Sequence, residues 1–161
     1  TTGRTDGPEE SEFGMGGYPF GGPAGRFYIS PAFGSGIFHN TAGNASQSGL
    51  LYGFDLGYEK EGWIGIQAGY SYVSELQMSV FSLGSRLSTG SDPFVYYFST
   101  QAGLYAPKGT DKRFGIAPGA GIDIVVNDKL RIGLNYKHDF MFSSGTTEDM
   151  DRVYAGLKIY F

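Results

Sequence analysis

The chain has 161 residues, a formal net charge of −4 and no cysteine. That length suits a single domain, the acidic balance argues against a nucleic-acid binder, and the lack of thiols excludes disulfide frameworks and thiolate metal sites. Glycine (27 residues) and aromatics (16%) are abundant, whereas charged residues (17%) fall below the usual ~25%. This mixture fits an all-β chain whose strands pass closely and whose outside is not wholly aqueous.

No basic-then-apolar leader opens the chain at Thr1, so the expected species is a mature form with its signal peptide removed. The longest apolar stretches fall far short of the ~20 residues of a membrane helix. Any membrane-spanning form must then be a closed barrel, because hydrocarbon offers unpaired strand groups no partner.

Residues 1–25 hold eight glycines, three prolines and the acidic run from Asp6 to Glu12. Such a composition predicts an extension without regular structure. Met15, Tyr18 and Phe20 are its candidate anchors for another envelope protein.

From Arg26 a two-residue period recurs, sending alternate side chains to opposite faces of a strand. In the first strand Phe27, Ile29, Pro31, Phe33 and Ile37 alternate with Tyr28, Ser30, Ala32, Gly34 and Gly36. His39–Ser48 is polar and reads as a loop. Leu50, Tyr52, Phe54, Leu56 and Tyr58 then alternate with Leu51, Gly53, Asp55, Gly57 and Glu59, before a tight turn at residues 60–62. Ile64, Ile66, Ala68, Tyr70 and Tyr72 oppose Gly65, Gln67, Gly69 and Ser71. The pattern weakens after Glu75; the expected fourth strand is Ser79–Leu87, followed by a turn over Ser88–Asp92.

The fifth strand carries Phe94, Tyr96, Phe98, Ala102 and Leu104 against Tyr97, Ser99, Gln101, Gly103 and Tyr105. After a polar loop over Pro107–Lys112, Phe114, Ile116, Pro118, Ala120, Ile122, Ile124 and Val126 oppose Gly115, Ala117, Gly119, Gly121 and Asp123. A two-residue turn at Asn127-Asp128 leads to Leu130, Ile132, Leu134, Tyr136, Phe140 and Phe142, set against Arg131, Gly133, Asn135, Lys137 and Asp139. Ser143–Met150 reads as the last loop. The final strand places Val153, Ala155, Leu157, Ile159 and Phe161 on one face and Arg152, Tyr154, Gly156, Lys158 and Tyr160 on the other.

Eight strands with alternating short turns and longer loops match the asymmetry of outer-membrane barrels. The expected fold is an all-β, eight-stranded antiparallel up-and-down transmembrane β-barrel over residues 26–161. Both termini then fall on the short-turn, periplasmic side. The bore of an eight-stranded barrel is only wide enough for side chains to fill. The bulky apolar face must therefore meet lipid, and the small and charged face must line the lumen. That inner face holds Asp55, Glu59, Asp123 and Asp139 against Arg86, Arg131, Lys137, Arg152 and Lys158, a near balance that predicts interstrand ion pairs and a plugged lumen. Pro31 and Pro118, unable to donate to a ladder, predict local bulges.

Residues 26–161 resemble the small outer-membrane barrels of the OmpA/OmpX-like superfamily. The resemblance rests on Gly119-Ala-Gly-Ile-Asp123, on Gly133-Leu-Asn-Tyr136, and on the closing Tyr154-Ala-Gly-Leu-Lys-Ile-Tyr-Phe161. Within it, Tyr154, Gly156, Ile159 and Phe161 resemble the C-terminal signal read by the barrel assembly machinery. The implied setting is the bacterial outer membrane, with its lipid and lipopolysaccharide as partners. Members of the superfamily tether the envelope, adhere, pass small molecules or modify lipid, so the resemblance leaves the role open. With the sequence read to its last strand, no peptidoglycan-binding domain is expected, and the predicted loops are short for an adhesin.

Two rivals to a structural or partner-binding role remain, a narrow passive channel and a lipid A-modifying enzyme. A deacylase-like site requires His-x-Ser on the lipid face of the seventh strand. His138 has the right parity, but position 140 is Phe and Ser144 lies too far along for a nucleophile–base hydrogen bond. His39 has no partner cluster in sequence and reads as a solvated loop residue. Glu148, Asp149 and Asp151 read as a solvated acidic loop rather than a divalent-cation site. The expectation is a non-enzymatic protein with no cofactor, no metal and no nucleic-acid partner.

Overall fold

The computed structural model describes residues 25–40, 45–60 and 63–161. Eight strands follow one another: β1 (Arg26–Asn40), β2 (Ala45–Lys60), β3 (Ile64–Val73), β4 (Met78–Ser91), β5 (Phe94–Pro107), β6 (Arg113–Asn127), β7 (Leu130–Ser143) and β8 (Thr146–Tyr160). Each pairs antiparallel with the next, and β1 pairs with β8 to close the barrel. No described residue is helical. Met15, Tyr18 and Phe20 lie outside the described residues.

The two-residue period decides which side chain goes where. Phe33, Leu83, Phe98 and Leu134 stand on the outside at 56–67% exposure, while Asp123, Gln101 and Asp139 are 0% exposed within. Apolar side chains such as Ile66, Phe114, Ile132 and Val153 make the outer surface a continuous greasy band. In water such a band would be an aggregation surface; in lipid it is what a barrel wall requires.

Three connections are shorter than the sequence predicts, all where polar strands leave the greasy band. β1 continues to Asn40 and β2 begins at Ala45, so His39 faces Ser46 across a ladder rather than lying in a loop. β4 runs from Met78 to Ser91, its last four residues pairing with Tyr97 to Phe94. β8 begins at Thr146, leaving a tight connection in which Gly145 takes the left-handed φ of 94° that glycine tolerates. The cause is common to all three. Beyond the bilayer both faces of a strand meet water, so backbone pairing continues without any apolar alternation to reveal it.

The prolines do not produce bulges. Pro31 pairs with Phe54 on β2, while the β1–β8 ladder skips Ser30 and Pro31. Pro118 pairs with Thr100 on β5, while the β6–β7 ladder skips Ala117 and Pro118. Each proline thus turns its missing donor to one neighbour and keeps the other ladder whole. The one register shift of that ladder lies at Val125/Asn127, beside the β6–β7 turn.

Candidate functional sites in the lumen and on the outer face

The lumen is stratified along the barrel axis. At the end nearest the termini, Asp123 accepts Lys158 Nζ at 2.5 Å and also receives Arg86 Nη2. Arg86 Nε lies 3.5 Å from Glu59 Oε1, and Arg131 Nη1 lies 3.6 Å from Glu59 Oε2. The Tyr160 hydroxyl donates to the same Glu59 oxygen at 3.2 Å. Tyrosine rings back the cations: Arg86 sits 3.7 Å from the Tyr97 ring centroid and Arg131 4.5 Å from that of Tyr160. Such contacts strengthen when water is excluded.

Close approach by glycine makes room for these rings. A Cβ on Gly57 would strike the Tyr28 ring, and one on Gly121 would strike Tyr97.

Midway along the axis, Arg152 grips Asp139 with two bonds of 2.6 Å, from Nε to Oδ2 and from Nη2 to Oδ1. Its Nη1 donates to Ser71 Oγ at 3.1 Å, and the Tyr105 hydroxyl donates to Asp139 at 2.5 Å. This bidentate fork is the strong form of a carboxylate–guanidinium contact. Lys137, fully enclosed, lies 5.3 Å from the Tyr154 ring. With Asp55 and Arg152 it lines a cavity of about 10 Å³, room for a single water. Gln101 is buried here too, and neither of its amide atoms bonds another described residue.

Toward the loop end the lumen turns apolar. Leu51, Val73, Met78, Val80, Met141 and Met150 pack together with Tyr105 and Tyr154, and Ala32, Phe38 and Leu76 close over them. This layer has no clear signal in the sequence: Met150 lies on β8 rather than in the expected loop, and Met78 and Val80 fall in the stretch of weak alternation. Inward parity counted back along β4 from Arg86 would have found both.

Every charged residue expected in the lumen points inward: Asp55, Glu59, Arg86, Asp123, Arg131, Lys137, Asp139, Arg152 and Lys158. They divide into the lower group around Glu59 and Asp123 and the middle group around Asp139. Of the terminal-signal residues, Tyr154 and Gly156 face the lumen, while Ile159 and Phe161 face outward.

The outer face carries a polar cluster where the sequence reading expected none. Four adjacent strands, β7, β8, β1 and β2, bring Tyr136, His138, Asp151, His39 and Ser46 side by side. His39 Nε2 lies 2.8 Å from Asp151 Oδ2, and its Nδ1 lies 3.2 Å from Ser46 Oγ. His138 Nδ1 and the Tyr136 hydroxyl each lie 2.7 Å from the other oxygen, Asp151 Oδ1. The reading of His39 as an unpartnered loop residue is therefore corrected.

The acidic loop is corrected as well. Glu148 and Asp151 stand on β8, with Glu148 paired to Arg113, and no cluster of metal ligands occurs among the described residues. In the β3–β4 connection, hydrogen bonds from Ser74 Oγ and from Leu50 N (2.7 Å) hold the Glu75 carboxyl below its ordinary range.

A closed antiparallel wall, greasy outside and lined with ions and tyrosines inside, defines the class of small eight-stranded outer-membrane barrels. Solved structures bear out that fold. Neisserial surface protein A matches with a TM-score of 0.68 at 14% identity over 84% of this chain and 97% of that one. The N-terminal β-barrel domain of Pseudomonas aeruginosa OprF matches at 0.61 and 12%, over 83% and 97%. The outer membrane enzyme PagL matches at 0.54 and 17%, over 82% and 98%. No family model and no curated protein matches the chain. At such identities the likeness is one of fold, and a fold shared by a surface protein and an enzyme leaves function to the site.

Proposed function

We propose that this protein is an integral outer-membrane barrel with a plugged lumen, acting as a structural or partner-binding element of the envelope. The filling of the bore carries the reading. Two ionic layers and one apolar layer succeed each other along the axis, and the cavity among the middle charges holds about 10 Å³. A hydrated ion crossing it would have to break the Arg152–Asp139 fork and then pass an uncharged methionine and valine layer.

In planar bilayers the protein gives no steady single-channel current. Large, persistent conductance would overturn the reading in favour of a passive channel. Neither the lumen nor His138 is assigned catalysis here, since Phe140 occupies the position where a His-x-Ser nucleophile would stand.

β1 begins and β8 ends on the side of the β2–β3, β4–β5 and β6–β7 connections, which are shorter than the opposite ones except the tight β7–β8 turn, and this supports placing both termini in the periplasm. Lipid and lipopolysaccharide contact the outer wall, and Tyr154, Gly156, Ile159 and Phe161 present the strand read by the assembly machinery. Residues 1–25, through Met15, Tyr18 and Phe20, engage a second envelope protein. Crosslinking in native membranes tests this. Full-length protein captures a partner that protein lacking residues 1–25 does not, and an identical catch from both removes the extension from the proposal.

A further inference from the structure

We propose that Ser46, His39 and Asp151 form a hydrolytic site on the lipid-facing wall, acting on acyl esters of membrane lipids. This activity is independent of the lumen and goes beyond the structural role.

The chain of contacts is that of a nucleophile, a base and an orienting carboxylate. Asp151 Oδ2 accepts from His39 Nε2 at 2.8 Å, which leaves the Nδ1 lone pair free to accept the Ser46 hydroxyl at 3.2 Å. The carboxylate is itself fixed, because its other oxygen takes His138 and the Tyr136 hydroxyl at 2.7 Å each. These five residues come from four strands, so the rigid barrel wall sets their spacing. The His39 side chain is 42% exposed, and Ser46 is open on the same outer face.

Position along the wall selects the substrate. From Ser46 and His39 toward the termini, the outward cross-strand pairs are Ser48 with Ile37, Leu50 with Ser35, and Tyr52 with Phe33. Polar groups thus give way to greasy ones within a few residues. On β8 the same change falls between Asp151 and Val153, while on β7 the aromatic residues Tyr136, Phe140 and Phe142 flank His138, the side chains of an interface rather than of the hydrocarbon. The triad stands at the boundary where a glycerolipid or acylated sugar carries its ester carbonyl. The attached acyl chain would run down over Leu50 and Phe33. A soluble ester has no such chain to lie on this wall.

In the reaction, His39 Nδ1 takes the Ser46 proton as Oγ bonds to the ester carbonyl carbon. The ester C–O bond breaks, and the alcohol leaves with the proton returned by the imidazolium. Water then attacks the acyl–Ser46 ester, its proton passing through His39, and releases a carboxylic acid and free Ser46. Ser46 and His39 are the catalytic residues; Asp151 is a positioning residue that stabilises the imidazolium.

The test uses the full chain folded in phosphatidylcholine vesicles, with p-nitrophenyl palmitate as substrate and a fluorophosphonate as covalent probe. Heat-modifiable electrophoretic mobility confirms that each variant is folded. Wild type should release p-nitrophenol and carry the probe on Ser46 by peptide mass spectrometry. Ser46→Ala and His39→Ala should each lose about 100-fold or more in rate, the scale of a lost nucleophile or general base. Asp151→Asn should move the rising limb of the pH–rate profile to lower pH, because the imidazolium loses its anion while His138 and Tyr136 remain beside it. Hydrolysis equal to that of folded Ser46→Ala, or a probe mark on any other residue, overturns the proposal. Because the probe site is read on wild type, the result does not depend on variant folding.

Discussion

The two ends of the lumen solve the same packing problem with opposite chemistry. Near the termini, Glu59 and Asp123 hold Arg86, Arg131 and Lys158 in a network backed by tyrosine rings. Near the loops, Leu51, Val73, Val80, Met141 and Met150 fill the bore with apolar side chains. An ionic layer is all-or-nothing: each buried charge is tolerable only while its partner is present. An apolar layer degrades gradually, because neighbours partly collapse into any void. The end that must be built with correct register is therefore the ionic one, and the end near the loops tolerates variation.

The largest expected effect lies in the ionic layer. Asp123→Ala strands Lys158 and leaves Arg86 with Glu59 alone, and should cost about 3–5 kcal/mol, read as a fall in the urea midpoint of vesicle-embedded protein. Trp63, the single tryptophan, reports the transition. A loss no larger than that of an apolar truncation would erase the contrast between the two ends.

Met141→Ala, in the opposite layer, should cost about 2–3 kcal/mol, the lower part of the range for deleting a buried Met or Leu side chain. The same midpoint measures it. Gln101→Leu addresses the border between the layers and should stabilise the barrel by about 1 kcal/mol, read as a higher midpoint, because a buried amide without described partners gives way to carbon. A fall there would mean that the polar zone extends higher than its contacts indicate.

Glu75→Gln, outside the lumen, should leave the neutral-pH midpoint within error. Its depressed carboxyl contributes only above the unfolded value, and that contribution is lost as pH falls through the lower folded value. Full exposure screens it in either case.

Most of the architecture was legible because lipid on one side and a narrow bore on the other enforce a strict two-residue period. Leu134 and Ile159 outward, Arg131 and Lys158 inward, follow from that period alone. Legibility failed wherever the period had no physical cause. Ser88–Ser91, His39–Asn40 and Thr146–Met150 extend strands beyond the greasy band, where pairing persists without apolar contrast. The same blind spot hid the outer-face cluster, since His39 and Ser46 meet only once β1 and β2 are known to run on past Phe38. It also hid Met150 of the apolar layer, which sits in the β8 extension. The ionic lumen was easier to anticipate, because charge at inward parity is rare enough to stand out.

One consequence of the lower network concerns the order in which the wall is completed. β8 alone supplies Lys158 and Arg152, two of the five buried cations among the described residues, and it is the strand that zips β1 to β7. An open sheet lacking it leaves the carboxylates of Asp123 and Asp139 short of positive charge and reluctant to shed water. Sealing the cylinder and neutralising its interior thus fall to the same strand.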